Sequence, residues 1–190
     1  PNEYGCQKPP YSQTTVTAAG ALLLGREATP VRVSAVTVGR VRDEKVTDPF
    51  KLGAAMAPAF ADTLAIHLAD FGRGVGDYDQ ILSGDLGREG GAVAQELLAK
   101  QGIILTEENY GDCGAMLAGA DKNFFAGGSG CGCTAAVVAG RVLKRLEAGT
   151  LSRVLPVGTG ALLSAVTVQQ SQSIPAIAHA VVLERGEQNG

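Results

Sequence analysis

Apolar and polar positions along the chain follow two periods. Residues 15–24 (TVTAAGALLL) and 31–41 (VRVSAVTVGRV) are β-branched runs, and in the second Val31, Val33 and Ala35 alternate with Arg32 and Ser34, the spacing of a strand with one solvated face. Residues 25–30 have turn composition, so the two runs are expected as adjacent antiparallel strands. Beyond Asp48-Pro49 the period lengthens. Leu64, Leu68 and Phe71 recur, with Ala61, Ala65 and Ile66 filling the same side, which predicts a helix over 52–71 that Gly72 and Gly74 end.

Residues 80–84 (QILSG) follow as a short buried strand, then a glycine-rich loop over 87–91 and a helix over 92–100 closed by Gly102. Residues 103–105 suggest the start of a strand. Residues 110–130 are rich in glycine with only brief apolar runs, so a long loop is expected there, and long loops inside compact domains are often functional. Helical spacing returns over 134–146 (TAAVVAGRVLKRL), and residues 153–157 and 177–183 read as two more strands around a polar loop, 158–175. No repeat of fixed period, low-complexity tract or long charge block interrupts this order. The pattern predicts an α/β chain with mixed elements around one sheet.

Composition narrows the function. At 190 residues, 45% hydrophobic and 18% charged, the chain is long and apolar enough to bury a core. A formal charge of −3 supplies no broad positive field, which sets nucleic-acid partners aside. No run of eighteen or more apolar residues occurs, so no transmembrane segment is expected and any membrane contact is peripheral or through a partner. Residues 1–11 are polar and rich in Pro and Gly and lack an initiator Met; the chain reads as beginning inside something larger. Cys6, Cys113, Cys131 and Cys133 are too sparse for a disulfide scaffold, so reduced thiols are the default.

The segment with the most unusual chemistry runs over 125–134 and contains Gly127, Gly128, Ser129, Gly130, Cys131 and Cys133 just before a predicted helix. Such a loop presents backbone N–H groups to a carboxylate or oxyanion; its glycines serve tight packing equally well. Cys131 or Cys133 near a helix start is either an activated thiolate or a small buried residue. Zinc is disfavoured, because Cys131, Cys133, Cys113 and a histidine lack the usual ligand spacing. Of the two histidines, His67 reads as a surface or half-buried helix residue and His179 as a satisfied strand residue more readily than a base. Gly84 and Asp85 at the end of a strand, and Asp112 in the long loop, lie where α/β proteins assemble ligand sites, or where Asp merely makes a turn. Residues 158–164 lack the Gly-Lys-Ser/Thr of a phosphate loop.

The order of the segments 15–25, 79–86, 125–134, 154–164 and 174–185 resembles the later part of a thiolase-superfamily chain. More narrowly, Glu3-Tyr4-Gly5, Gln7-Lys8-Pro9, Ala55-Met56-Ala57-Pro58 and residues 127–131, 159–164 and 174–185 are similar to the stage V sporulation protein AD family. The resemblance covers nearly the whole chain. It implies a thiolase-like, layered helix–sheet–helix fold, the second half of a duplicated architecture: residues 1–45 would end the first half and 46–190 would form the second. The first half, which in the superfamily carries the acyl-bearing cysteine, is missing here, and the fragment should expose an apolar face that this half would cover.

In the condensing-enzyme branch a histidine follows the strand matching residues 80–83. Here that neighbourhood reads Gly84-Asp85, and a later Gly-Asn pattern is replaced by Gly127-Gly128-Ser129-Gly130. Without the imidazole, general-base assistance worth about two to four powers of ten is lost. The resemblance therefore implies a noncatalytic binder of dipicolinic acid that aids its uptake into the developing spore, with no cofactor and no metal. Membrane proteins of the same sporulation system, the missing first half and a possible homodimer are the implied partners, and the inner spore membrane is the implied peripheral location. Two rivals are an acyltransferase acting on acyl-CoA thioesters and a scaffold that docks other sporulation proteins.

Overall fold

A computed structural model describes residues 9–27, 29–121 and 123–186. Cys6 and the segments Glu3-Tyr4-Gly5 and Gln7-Lys8 lie outside the described residues. In chain order the elements are β1 (Thr14–Thr15), β2 (Val31–Val38), α1 (Leu52–Phe71), β3 (Gln80–Ser83), α2 (Gly87–Ala99), β4 (Tyr110–Asp112), α3 (Cys113–Ala118), β5 (Gly128–Ser129), α4 (Cys133–Val137), α5 (Leu143–Glu147), β6 (Arg153–Ala161), α6 (Ala165–Gln169) and β7 (Ala176–Arg185). A π turn, Val138–Val142, joins α4 to α5, so the three form one helical run.

Five strands make the main sheet in the order β2-β7-β6-β3-β4. β7 runs antiparallel to both β2 and β6, while β6, β3 and β4 are mutually parallel. The parallel part needs crossovers, which α2 and the α4–α5 run supply. Alternation along each strand divides the core in two. Ile81, Leu155, Val157, Ala178, Ala180 and Val182 meet α1 and α2 through Met56, Phe60, Leu64 and Leu98. Leu82, Val154 and Leu183 face the other way and pack with Cys113, Cys133, Val137, Val142 and Leu146. The expected α/β, helix–sheet–helix layering is the observed one.

α1 starts and stops where the periodicity places it, and Gly72, at φ 59°, closes it with its N–H on Ala69 O. Its twenty residues meet the length and, at a mean hydropathy of 1.3, the apolarity of a membrane span. A count of unbroken apolar runs misses this, because alanines raise the average while Pro58, Asp62 and His67 interrupt the run. The helix is the central core element, packed against both the sheet and α2.

Five expectations are corrected, one being the loop over 158–175, which holds the end of β6 and the whole of α6. Residues 15–24 do not pair with β2; only Thr14 and Thr15 join a ladder, parallel to β5. β2 pairs instead with β7, through a register shift between Val33 and Ala35 that leaves Val33 exposed and turns Ala35 and Thr37 inward. α2 begins at Gly87, not residue 92, because Gly90 and Gly91 lie inside it, where Gly90 meets Gly53 of α1 backbone to backbone. The stretch 110–130 holds β4, α3 and β5, whereas residues 103–105 form no strand.

Candidate functional site

The carboxyl end of β3 opens onto a loop whose conformation two aspartates set. Asp112 ends β4 and caps α3: its Oδ1 accepts the Ala115 N–H at 2.8 Å, and its Oδ2 accepts the Ser83 hydroxyl at 2.6 Å and the Leu86 N–H at 2.7 Å. Burial raises its pKa above the usual carboxylate range, against the lowering effect of those donors. Ser83 also pairs with the Tyr110 hydroxyl at 2.8 Å. These bonds fix the path of residues 83–86.

Asp85, the next acidic side chain, crosses to the opposite loops. Its Oδ2 accepts the Ser129 hydroxyl and the Gly130 N–H, both at 2.9 Å, and its Oδ1 accepts the Thr159 hydroxyl at 2.8 Å. The Asp85 N–H in turn donates to Thr159 Oγ1 at 3.0 Å. Gln13 adds a clamp from outside, donating Nε2 to Asp85 O at 2.7 Å and to Gly128 O at 3.2 Å. The glycine loop therefore already holds a carboxylate of its own chain. Gly127 and Gly130 sit at φ 119° and 148°, conformations that suit glycine, and Gly128 packs against Gly114 with no room for a side chain.

Beyond Gly130 the chain turns into the α4–α5 run. Cys133 donates its N–H to Gly130 O at 3.0 Å, while the N–H groups of Cys131 and Gly132 find no acceptor among the described residues. Cys131 is exposed; Cys133 and Cys113 are buried. Burial first, then the negative charges of Asp85 and Asp112, push the Cys133 thiol up to about 12, and burial also raises Cys113. Proximity to a helix start does not activate Cys133, because desolvation and two carboxylates outweigh the dipole.

The structure thus brings Gly84, Asp85, Ser129, Gly130, Cys131 and Cys133 into one neighbourhood, with Gly127 and Gly128 forming its floor. His179 stands apart. It lies exposed on β7 opposite Gly158, and its Nδ1 accepts the Gly39 N–H at 3.1 Å. His67, read as surface or half-buried, is wholly buried, bonded through Nδ1 to Thr37 Oγ1 and through Nε2 to Tyr78 OH, both at 2.7 Å. No group of three or more His, Cys, Asp and Glu side chains among the described residues is arranged to hold a metal. Sequence reading missed Thr159 and Gln13. Thr159 lies between two glycines near the end of β6, in a segment that carries no recognised ligand-binding motif.

A family model described as stage V sporulation protein AD matches residues 1–184. The chain belongs to the stage V sporulation protein AD family. It is 44% identical over 185 residues to the stage V sporulation protein AD of Bacillus subtilis (strain 168), covering 97% of this chain and 54% of the relative. The chain spans about half the length of this curated relative of the family. Among solved structures it is similar to the tetronic acid condensing enzyme AbyA1, at 16% identity and a TM-score of 0.45, over 86% of this chain and 50% of that one. The 3-oxoacyl-[acyl-carrier-protein] synthase III of Aquifex aeolicus VF5 gives 13% identity, a TM-score of 0.43, and coverage of 85% and 55%.

Proposed function

We propose that the chain is the ligand-holding second lobe of a noncatalytic sporulation protein that captures dipicolinic acid and serves its passage into the developing spore. Family membership supports the sporulation role. The observation that carries the rest is the commitment of Asp85: at the end of β3, where the resemblance would put a catalytic imidazole, a carboxylate engages Ser129, Gly130 and Thr159 through both its oxygens. That network stiffens a loop without supplying a base to a thiol, and the two buried thiols beside it stay protonated.

A flat pyridine dicarboxylate needs N–H donors for its carboxylates and a slot for its ring. Since Gly130 already serves Asp85, the donors left for it are the N–H groups of Cys131 and Gly132, beside an exposed Cys131 side chain. A preceding half of the fold would cover Leu22, Leu23 and Leu24, which are 49%, 101% and 77% exposed, and a second copy or membrane proteins of the sporulation system would add further contacts at the inner spore membrane.

Calorimetry of dipicolinic acid against the full-length protein tests the placement. Cys131→Trp, a change at an exposed position, should weaken binding at least tenfold, or about 1.4 kcal/mol, with thermal stability unchanged. Equal affinity in the two proteins rejects the loop as part of the pocket.

A further inference from the structure

At the other end of the sheet lies a second polar centre. Glu184 on β7 stands in register with Arg32 on β2 and with Arg153 on β6, and residues directly opposite in a sheet point to the same face. Arg153 Nε donates to Glu184 Oε1, Arg32 Nη2 reaches Oε2 at 3.4 Å, and Arg73, just beyond α1, reaches Oε1 from above at 3.4 Å. Three guanidiniums therefore share a single carboxylate whose side chain is 8% exposed, while Arg32 is 59% and Arg153 33% exposed. Thr159 lies six positions beyond Arg153 on β6, so this centre lies roughly 20 Å from the Asp85 cluster.

Arg32, Arg153 and Glu184 line an open cleft of about 510 Å³. Two other carboxylates face it, and both are engaged by the backbone: Asp77 Oδ2 accepts the Gly74 N–H at 2.7 Å, and Asp79 Oδ2 accepts the Arg153 N–H at 2.8 Å and the Ser152 N–H. Arg153 gives its Nη1 to Asp77 O at 3.0 Å. Its Nη2, and the Nε and Nη1 of Arg32, have no protein acceptor among the described residues. Planar guanidinium forks are shaped for oxyanions, and two of them on one sheet face, flanking a buried acid that orients both, make a site for a group with several acceptor oxygens.

We infer that this cleft binds a phosphate-bearing anion, with Arg32 and Arg153 as its ligands and Glu184 as the residue that positions them. Glu184 leaves donors of Arg32 and Arg153 unmatched on the cleft side, and a phosphate oxygen in the cleft pairs with them while leaving the cross-strand register intact. The same chemistry is offered by a soluble phosphomonoester and by a phospholipid headgroup.

The test uses the full-length protein at constant ionic strength. Phenyl phosphate is titrated by calorimetry, and vesicles of phosphatidylglycerol in phosphatidylcholine are followed by co-sedimentation. Arg32→Gln, on the exposed edge strand, should weaken binding at least tenfold without moving the melting temperature, and Cys131→Trp should leave it unchanged. Weakening seen with phenyl phosphate assigns a soluble ligand; weakening seen with vesicles alone assigns a headgroup. No saturable binding in either arm, or binding that Arg32→Gln leaves intact, overturns the site.

Discussion

Asp85 and Thr159 hold each other in both directions. The threonine hydroxyl donates to Asp85 Oδ1 at 2.8 Å and accepts the Asp85 N–H at 3.0 Å, so one side chain ties the end of β3 to β6. Thr159→Val keeps the shape and removes both bonds. It should cost about 1–3 kcal/mol of stability, because a carboxylate oxygen and an N–H lose their partner in a part-buried place. Urea unfolding of the wild type and variant measures it; a difference below about 0.5 kcal/mol would mean that water replaces the hydroxyl at no cost.

The helix crossing on the α1 face makes a separate claim about backbone approach. Gly53 and Gly90 meet where α1 crosses α2, and a Cβ on either would run into backbone of the other helix. Gly90→Ala should therefore destabilise by about 1–3 kcal/mol. Gly140, in the π turn, has nothing near the place of its missing Cβ, so Gly140→Ala should be neutral or stabilise by up to about 1 kcal/mol. Thermal melts should show the loss for Gly90→Ala alone, and a matching loss in both variants would refute the packing account.

The start of α2 shows what local sequence pattern leaves hidden. In isolation Gly90 and Gly91 have the signature of a loop, and only tertiary packing, Gly90 on Gly53 of α1 and Gly91 under the Tyr110 ring, places them in a helix, so the start of α2 was illegible from local pattern. Residues 15–24 err the other way. Their β-branched and small apolar composition is that of a strand, yet pairing is a property of the neighbour, and only Thr14 and Thr15 have one. α1 and β7 were legible through periodic apolar positions, and β3 as a short run around Ile81 and Leu82 buried on both faces. At the site, Asp85, Ser129 and Gly130 stood out through glycine flanks, whereas Thr159 and Gln13 matter only by distance across the fold.

Thiol reactivity offers a third prediction. Cys131 is exposed, while Cys133 is buried with its pKa pushed up to about 12. At pH 8 Cys133 is therefore held in the thiol form. Iodoacetamide should modify the Cys131 side chain at least a hundredfold faster than Cys133 in the native protein, read peptide by peptide with mass spectrometry, and urea should abolish the difference. Comparable native rates would contradict the burial of Cys133.

His67 makes the stability of the fold sensitive to mild acid. Its imidazole is enclosed by Thr37, Tyr78 and the Phe71 ring, and burial first, then the positive charge of Arg73, lowers its pKa, opposed by Asp70. In the unfolded chain the ring titrates near about 6.5. Above that pH both states hold it neutral. As the pH falls below it, the unfolded chain takes up a proton that the folded protein refuses, so stability declines until the lower folded pKa is reached, at up to about 1.4 kcal/mol per pH unit. The raised pKa of Asp112 acts in the opposite sense: its folded form gains the proton first, which relieves its burial cost as pH falls through that folded value. In urea titrations between pH 7.5 and 5.5, His67→Gln should lower stability at pH 7.5 yet flatten its decline with acid. A decline equally steep in the variant would assign the acid sensitivity to other groups.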